Sequence, residues 1–198
     1  MTDTDIVNLA LTHLGTRTIS SLTNDRSPEA IVMRLLYEVE RDNMLREFPW
    51  AFSRRFADLG LVEEDPTDEW AYSYRYPSDA LMIRRFLSER NETRQTRIPH
   101  VILGDDTGGL LYTDEEDAAI EYTSRITDTQ KFTTDFCRAL GFRLAYLSAP
   151  KLTAGDPYGL GNRAYNLYRE ALTVAQSSNI NEQQEEEPPN SELQRARE

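Results

Sequence analysis

Apolar residues recur at helical spacing in four stretches of this chain, and at alternate positions in the region between the second and third stretches. The first stretch places Ile6, Leu9, Ala10 and Leu14 on one face, which predicts a short amphipathic helix over about residues 3–14. The second carries Val32, Leu35, Leu36 and Val39, widened by Met33, Tyr37 and Met44, and predicts a helix over about 28–47. Two adjacent apolar stripes on one helix imply two packing neighbours. The third stretch, about 130–148, turns Phe132, Phe136, Leu140, Leu144 and Leu147 inward. The fourth, after Pro157, has a seam of Leu160, Ala164, Leu167, Tyr168, Ala171, Leu172 and Ala175, small and medium residues suited to close helix packing.

Punctuation supports these boundaries. Gly15 can adopt the left-handed conformation that ends a helix. Ser27-Pro28 and Asp156-Pro157 each read as a capping residue followed by a first-turn proline. Pro49 stops the second helix, because the residue before a proline is pushed out of the helical region. Ala149-Pro150 reads as a break between the third and fourth helices. In the middle, Trp70–Tyr76 alternates aromatic with small or polar residues, the period of a strand. Residues 81–86, 101–103, 110–112 and 118–122 are also strand-like, and Gly104–Gly109 is a hairpin turn signal.

Together these elements predict an α+β fold, mainly α. The expectation is an antiparallel bundle of four helices (residues 1–52 and 128–178) with a small antiparallel β region inserted at 53–127. Residues 179–198 contain few aliphatic side chains and read as an extended tail that cannot fold alone. Such a segment is either a floppy terminus or one that orders on a partner.

The order of pieces near the N-terminus resembles a known family. A helix ends in Leu14-Gly15, a Ser-Leu loop follows, then a long helix, then Trp50-x-Phe52 leads into strands. This resembles the head-to-tail adaptors of short-tailed bacteriophages, often called tail tubular protein A. The resemblance resumes from Phe136 to Tyr146, through the Ala149-Pro150 break, to the helix bearing Tyr165 and Tyr168. It implies a non-enzymatic structural virion protein in the tail neck. A ring of about twelve copies would join the portal to the tail nozzle and continue the channel through which double-stranded DNA leaves during ejection, without specific recognition. The structural anchors would be Leu14, Gly15, Trp50 and Phe52. The C-terminal tail would dock on the portal through Ile180, Asn181, Glu186, Pro188, Pro189 and Leu193.

Charge narrows the choice. With 22 basic and 34 acidic side chains the net charge is −12, which opposes wrapping of duplex DNA but suits a lumen that repels phosphate. Arg54, Arg84 and Arg85 fall in the middle region near Tyr72 and Tyr74 in sequence. Arginine and tyrosine are common interface anchors, so these five are candidate contacts with neighbouring subunits. Cys137 alone cannot form an internal disulfide and reads as a buried apolar residue. No apolar run approaches a membrane span, and the start of the chain lacks signal-peptide character. Assembly in the host cytoplasm is the expectation, with no membrane anchor.

Chemical motifs are sparse, and no catalytic, cofactor or metal residue is assigned. Asp106-Thr107-Gly108 matches an aspartic-protease triplet, but a tight turn explains the same letters. Gly159-Leu-Gly161 lacks the preceding strand that a dinucleotide site needs. Asp114–Asp117 lacks the ligand spacing of a calcium loop. His13 sits near a helix end, where an imidazolium is favoured. The rival reading is a virion-associated peptidoglycan or polysaccharide hydrolase using paired carboxylates.

Overall fold

A computed structural model describes residues 1–87 and 98–182. Four helices run over Asp3–His13 (α1), Pro28–Glu47 (α2), Thr134–Leu152 (α3) and Leu160–Glu182 (α4). Seven strands are described: Arg54–Asp58 (β1), Leu61–Thr67 (β2), Trp70–Arg75 (β3), Ala80–Leu87 (β4), Val101–Asp105 (β5), Gly108–Thr113 (β6) and Ala119–Ser124 (β7). They form a three-stranded sheet in the order β1-β7-β4 and a four-stranded sheet in the order β2-β3-β6-β5.

The expected four-helix bundle with a small β insertion is therefore incorrect. Of the described residues 46% are helical and 25% lie in strands, arranged as two antiparallel sheets, so the protein has an α+β fold in which the strands are a major component. Two physical reasons account for the error. The helix α2 uses only one of its two apolar stripes internally: Ala30, Met33, Tyr37 and Met44 are buried, while Ile31, Leu35 and Val39 are exposed. The strands β1 and β2 also lack a regular apolar alternation, β2 reading Leu-Val-Glu-Glu-Asp-Pro-Thr.

The chain divides into two compact units. Among the described residues, one comprises 1–55, 79–84 and 122–179, and the other comprises 56–78, 85–87, 98–121 and 180–182. In the first, α1 and α2 both pack on α3. The α1 crossing is close: a Cβ placed at Gly141 would lie 2.9 Å from a methyl of Leu9 and 3.4 Å from the Ile6 carbonyl. A continuous core of Ile6, Leu11, Met33, Trp50, Phe136, Leu140 and Leu144, among others, fills this unit.

Local chemistry sets the helix ends. The Thr2 hydroxyl accepts from the Asp5 amide while Asp5 accepts from the Thr2 amide, a capping box. Gly15 follows α1 with φ of 67°. Ser27 caps α2 through the Ala30 amide, with Pro28 in the first turn as expected. Helix α3 continues past Pro150 to Leu152 instead of breaking at Ala149-Pro150. Pro150 lies within its last turn, so the helix has only two residues left to run beyond the missing amide. Asp156 does cap α4, its two oxygens accepting from the Leu160 and Gly161 amides at 2.6 and 2.8 Å, but the helix opens three residues later than expected. At the far end, 179–182 are helical, so the first residues assigned to the extended tail belong to α4.

The four-stranded sheet lies wholly in the second unit. Its register pairs Leu61 with Tyr74, Tyr74 with Leu111, and Leu111 with Ile102, a row running across all four strands. The pairing of β2 with β3 is irregular between Leu61 and Glu63 and again between Glu64 and Thr67. Asp65, in that second irregularity, has φ of 48°.

Candidate functional site

Trp50 organises the point where α2 gives way to the strands. Pro49 ends the helix, and a short 3-10 turn at Ala51–Ser53 redirects the chain. The Trp50 side chain is fully buried, its indole N–H donates to the Met44 carbonyl at 2.8 Å, and its ring meets Phe136 edge-on at 5.1 Å. Half-buried Phe52 packs on the same Phe136 ring. Arg84 donates to the Trp50 carbonyl at 2.8 Å, to the Ser53 hydroxyl at 3.0 Å and to Thr123 at 2.9 Å. Asn179, buried near the end of α4, accepts the Ala51 amide at 2.8 Å. The turn is thus held from three distant parts of the sequence.

A second polar cluster joins α2, α3 and α4. Arg143 Nε donates to Glu40 at 2.6 Å, and Nη1 reaches Glu47 at 2.6 Å and the Tyr168 hydroxyl at 2.9 Å. Tyr168 donates in turn to Glu47 at 3.2 Å. Burial pushes the Tyr168 hydroxyl up to about 12 against the opposing pull of Arg143. Burial alone would lower the Arg143 guanidinium, but hydrogen bonds to Glu47 and Glu40 raise it overall, so it stays charged. Sequence reading missed this cluster. Its signal was Glu40 and Glu47, seven apart and on one helix face, with an arginine inside the apolar run of α3.

An open cleft in the same unit is lined by Asp3, Arg34, Tyr37, Glu38, Arg41 and Asp128, among others. The Tyr37 hydroxyl is buried and has no hydrogen-bond partner among the described residues. Burial, then the charge of Asp3, push that hydroxyl well above the ordinary phenol range. Acids here alternate with guanidinium groups: Arg34 donates to the Leu22 and Asp25 carbonyls, and Arg41 to Asp42. Among the described residues no three His, Cys, Asp or Glu side chains are grouped to hold a metal ion.

The residues singled out from sequence fall in different environments. Leu14 and Trp50 are buried, and Gly15 ends α1 in the left-handed region. Half-buried Arg54 lies in β1. Arg85 pairs with Glu121, which is buried. Tyr72 is half-buried, whereas Tyr74 is buried and donates to the Glu115 carbonyl at 2.9 Å. Ile180 and Asn181 are exposed in the last turn of α4. Glu186, Pro188, Pro189 and Leu193 lie outside the described residues. Asp106 and Thr107 form the β5–β6 turn. Beside them, Asp105 is held well below the carboxylate range by Arg75 and Thr107. Gly159-x-Gly161 follows a turn, not a strand.

Two exposed apolar surfaces were not anticipated. One is the outward stripe of α2, Ile31, Leu35 and Val39, spaced four apart. The other is β5, all five residues of which are exposed, including Val101, Ile102 and Leu103. Contiguous apolar exposure of this kind marks interaction surfaces. Among the described residues no helix is long and apolar enough to cross a membrane. Searches against protein-family models and against curated proteins find no match.

Proposed function

We propose that the protein is a non-enzymatic head-to-tail adaptor of a short-tailed phage, located in the virion neck. The observation that carries this reading is the succession of elements. A helix closes at Leu14-Gly15, the long α2 leaves through Trp50-x-Phe52 into strands, and α3 and α4 follow the strands. In this reading copies form a ring, of about twelve, between the portal and the tail nozzle. Its acidic surface (net charge −12) lets DNA pass without binding it. The exposed stripe of α2 and the exposed β5 provide apolar surface for assembly contacts.

Docking on the portal is assigned to the acidic C-terminal segment. Ordering that segment costs entropy, so each copy binds weakly alone and ring neighbours add effective concentration. Because Asn179 holds the Ala51 amide, the informative truncation begins at residue 183, beyond the end of α4. Removal of residues 183–198 is expected to leave the unfolding midpoint unchanged and to abolish addition to the portal ring encoded with this chain, read by native mass spectrometry. Normal loading by the truncated chain would refute the docking role.

A further inference from the structure

The two edges of the four-stranded sheet match one another. The row Leu61–Tyr74–Leu111–Ile102 crosses the sheet from edge to edge. Its middle members are buried, Tyr74 at 2% and Leu111 at 0% exposure, while its ends, Leu61 at 52% and Ile102 at 49%, are open. An apolar row thus ends in an aliphatic side chain on each edge.

Backbone phase agrees with the side chains. The two-residue turn at 106–107 makes Asp105 and Gly108 a hydrogen-bonded pair, so alternation turns the N–H and C=O of Ile102 and Gly104 away from β6. The bond from the Tyr76 amide to the Gly109 carbonyl at 2.9 Å fits that phase, since Gly109 lies opposite Gly104 and faces the other way. On β2, the Arg75 amide donates to the Gly60 carbonyl at 2.9 Å, which leaves the next residue, Leu61, turned outward. Three antiparallel steps separate β2 from β5, so the two edges run in opposite directions. An edge β5 placed beside β2 of another copy therefore continues an antiparallel ladder, with Ile102 and Leu61 exchanging both backbone hydrogen bonds.

Protection of the edges is unequal. Glu63, Glu64, Asp65 and Pro66, together with the irregular pairing between Glu64 and Thr67, blunt the far half of β2 in the usual way of protected edges, while the other irregularity, between Leu61 and Glu63, keeps the regular stretch at its start short. Leu61 and Val62 are left open at its start, and residues 101–104 carry neither charge nor proline. Such an unguarded edge accepts another strand.

We infer that copies of this chain join head to tail through their sheets, β5 of one copy pairing with the first residues of β2 in the next, Ile102 against Leu61. This builds on the ring reading and supplies a subunit contact for it, because head-to-tail contacts close into rings where a two-fold contact gives only pairs. A two-fold pairing of β5 with itself, centred on Ile102, satisfies the same backbone phase but leaves Leu61 and Val62 uncovered. The pairing is short, so it is weak between two free copies and strengthened by ring closure.

The test uses Cys137→Ser chains carrying either Ile102→Cys or Leu61→Cys, distinguished by mass tags. They are mixed at high concentration and treated with a short bis-maleimide, both free and with the portal ring. Unfolding midpoints first establish that each variant is folded. The mixed product is expected about tenfold above that of a control pair at exposed Thr18 and Asn162, as paired edges raise effective concentration. The double variant is expected to give a ladder. Dominance of Ile102→Cys self-product would overturn the inference in favour of two-fold pairing, and product at the control level in both conditions would overturn it outright. Laddering without addition to the portal would refute the adaptor reading and leave the edge pairing standing. Addition to the portal without cross-links would do the reverse.

Discussion

Among the described residues the helical unit pairs its buried side-chain polar atoms from within, the Tyr37 hydroxyl excepted, whereas the four-stranded sheet leaves the outer edge of β5 open and apolar. In the helical unit, Trp50, Arg84, Asn179 and the Arg143 cluster bring distant residues to the same few polar groups. In the sheet, β5 bonds only to β6 among the described residues, and all five of its residues are exposed. The difference teaches where each unit's stability comes from. Substitutions inside the first should unfold it, while substitutions on the edge of the second should alter only what it meets.

The largest effect is expected at Trp50. Replacing this fully buried ring by alanine removes its packing on Phe136 and leaves the Met44 carbonyl unpaired, a loss of about 3–5 kcal/mol. Urea unfolding of Trp50→Ala measures it, and a loss below about 1 kcal/mol would break the comparison on the helical side. Next comes Arg143→Met, which strands Glu40 in a largely buried position. Its expected cost is about 2–4 kcal/mol, below the full value for a deeply buried pair because Glu47 is partly exposed. Adding Glu40→Gln should recover part of that loss.

A smaller, pH-dependent effect belongs to His13. Its imidazole is lowered by partial burial, with the charges of Arg138 and Arg163 adding, and its ring sits 4.5 Å from Phe142. The helix-end preference read from sequence for an imidazolium is thus outweighed. The sign follows: near and below the ordinary value of 6.5 the unfolded chain binds more proton than the folded one, so stability falls as pH falls through that range. His13→Gln should show a flatter stability profile between pH 7.5 and 5.5 than the parent chain. An equal slope in both would remove His13 from the account. The smallest effect on stability is expected at the edge. Ile102→Lys should shift the unfolding free energy by less than about 0.5 kcal/mol, while reducing self-association measured by sedimentation. A large destabilisation would mean that β5 is held by its own unit after all.

What sequence revealed divides along the same line. The bounds of α2, the Ser27 cap, Gly15 and the 70–76 strand were all visible, because each rests on neighbours a few residues apart. The regular stripe of α2 was visible too, but not which of its two faces would be buried. That choice depends on where α3 lies. The acidic, proline-bearing β2 carries no alternation and was not read as a strand, so the second sheet and the α+β balance were missed. Pro150 suggested a break at Ala149-Pro150, yet α3 runs two residues past it to Leu152. The Arg143 cluster and Asn179 escaped notice because their partners are about a hundred residues away in sequence, Glu40 and Ala51 among them.

The measurement that tests the central claim most directly is mass in solution, by light scattering or native mass spectrometry, for the chain alone and mixed with its portal ring. The adaptor account predicts addition of copies in a number set by the portal's symmetry. A chain whose mass is unchanged by the portal, at concentrations where it is folded, would contradict it.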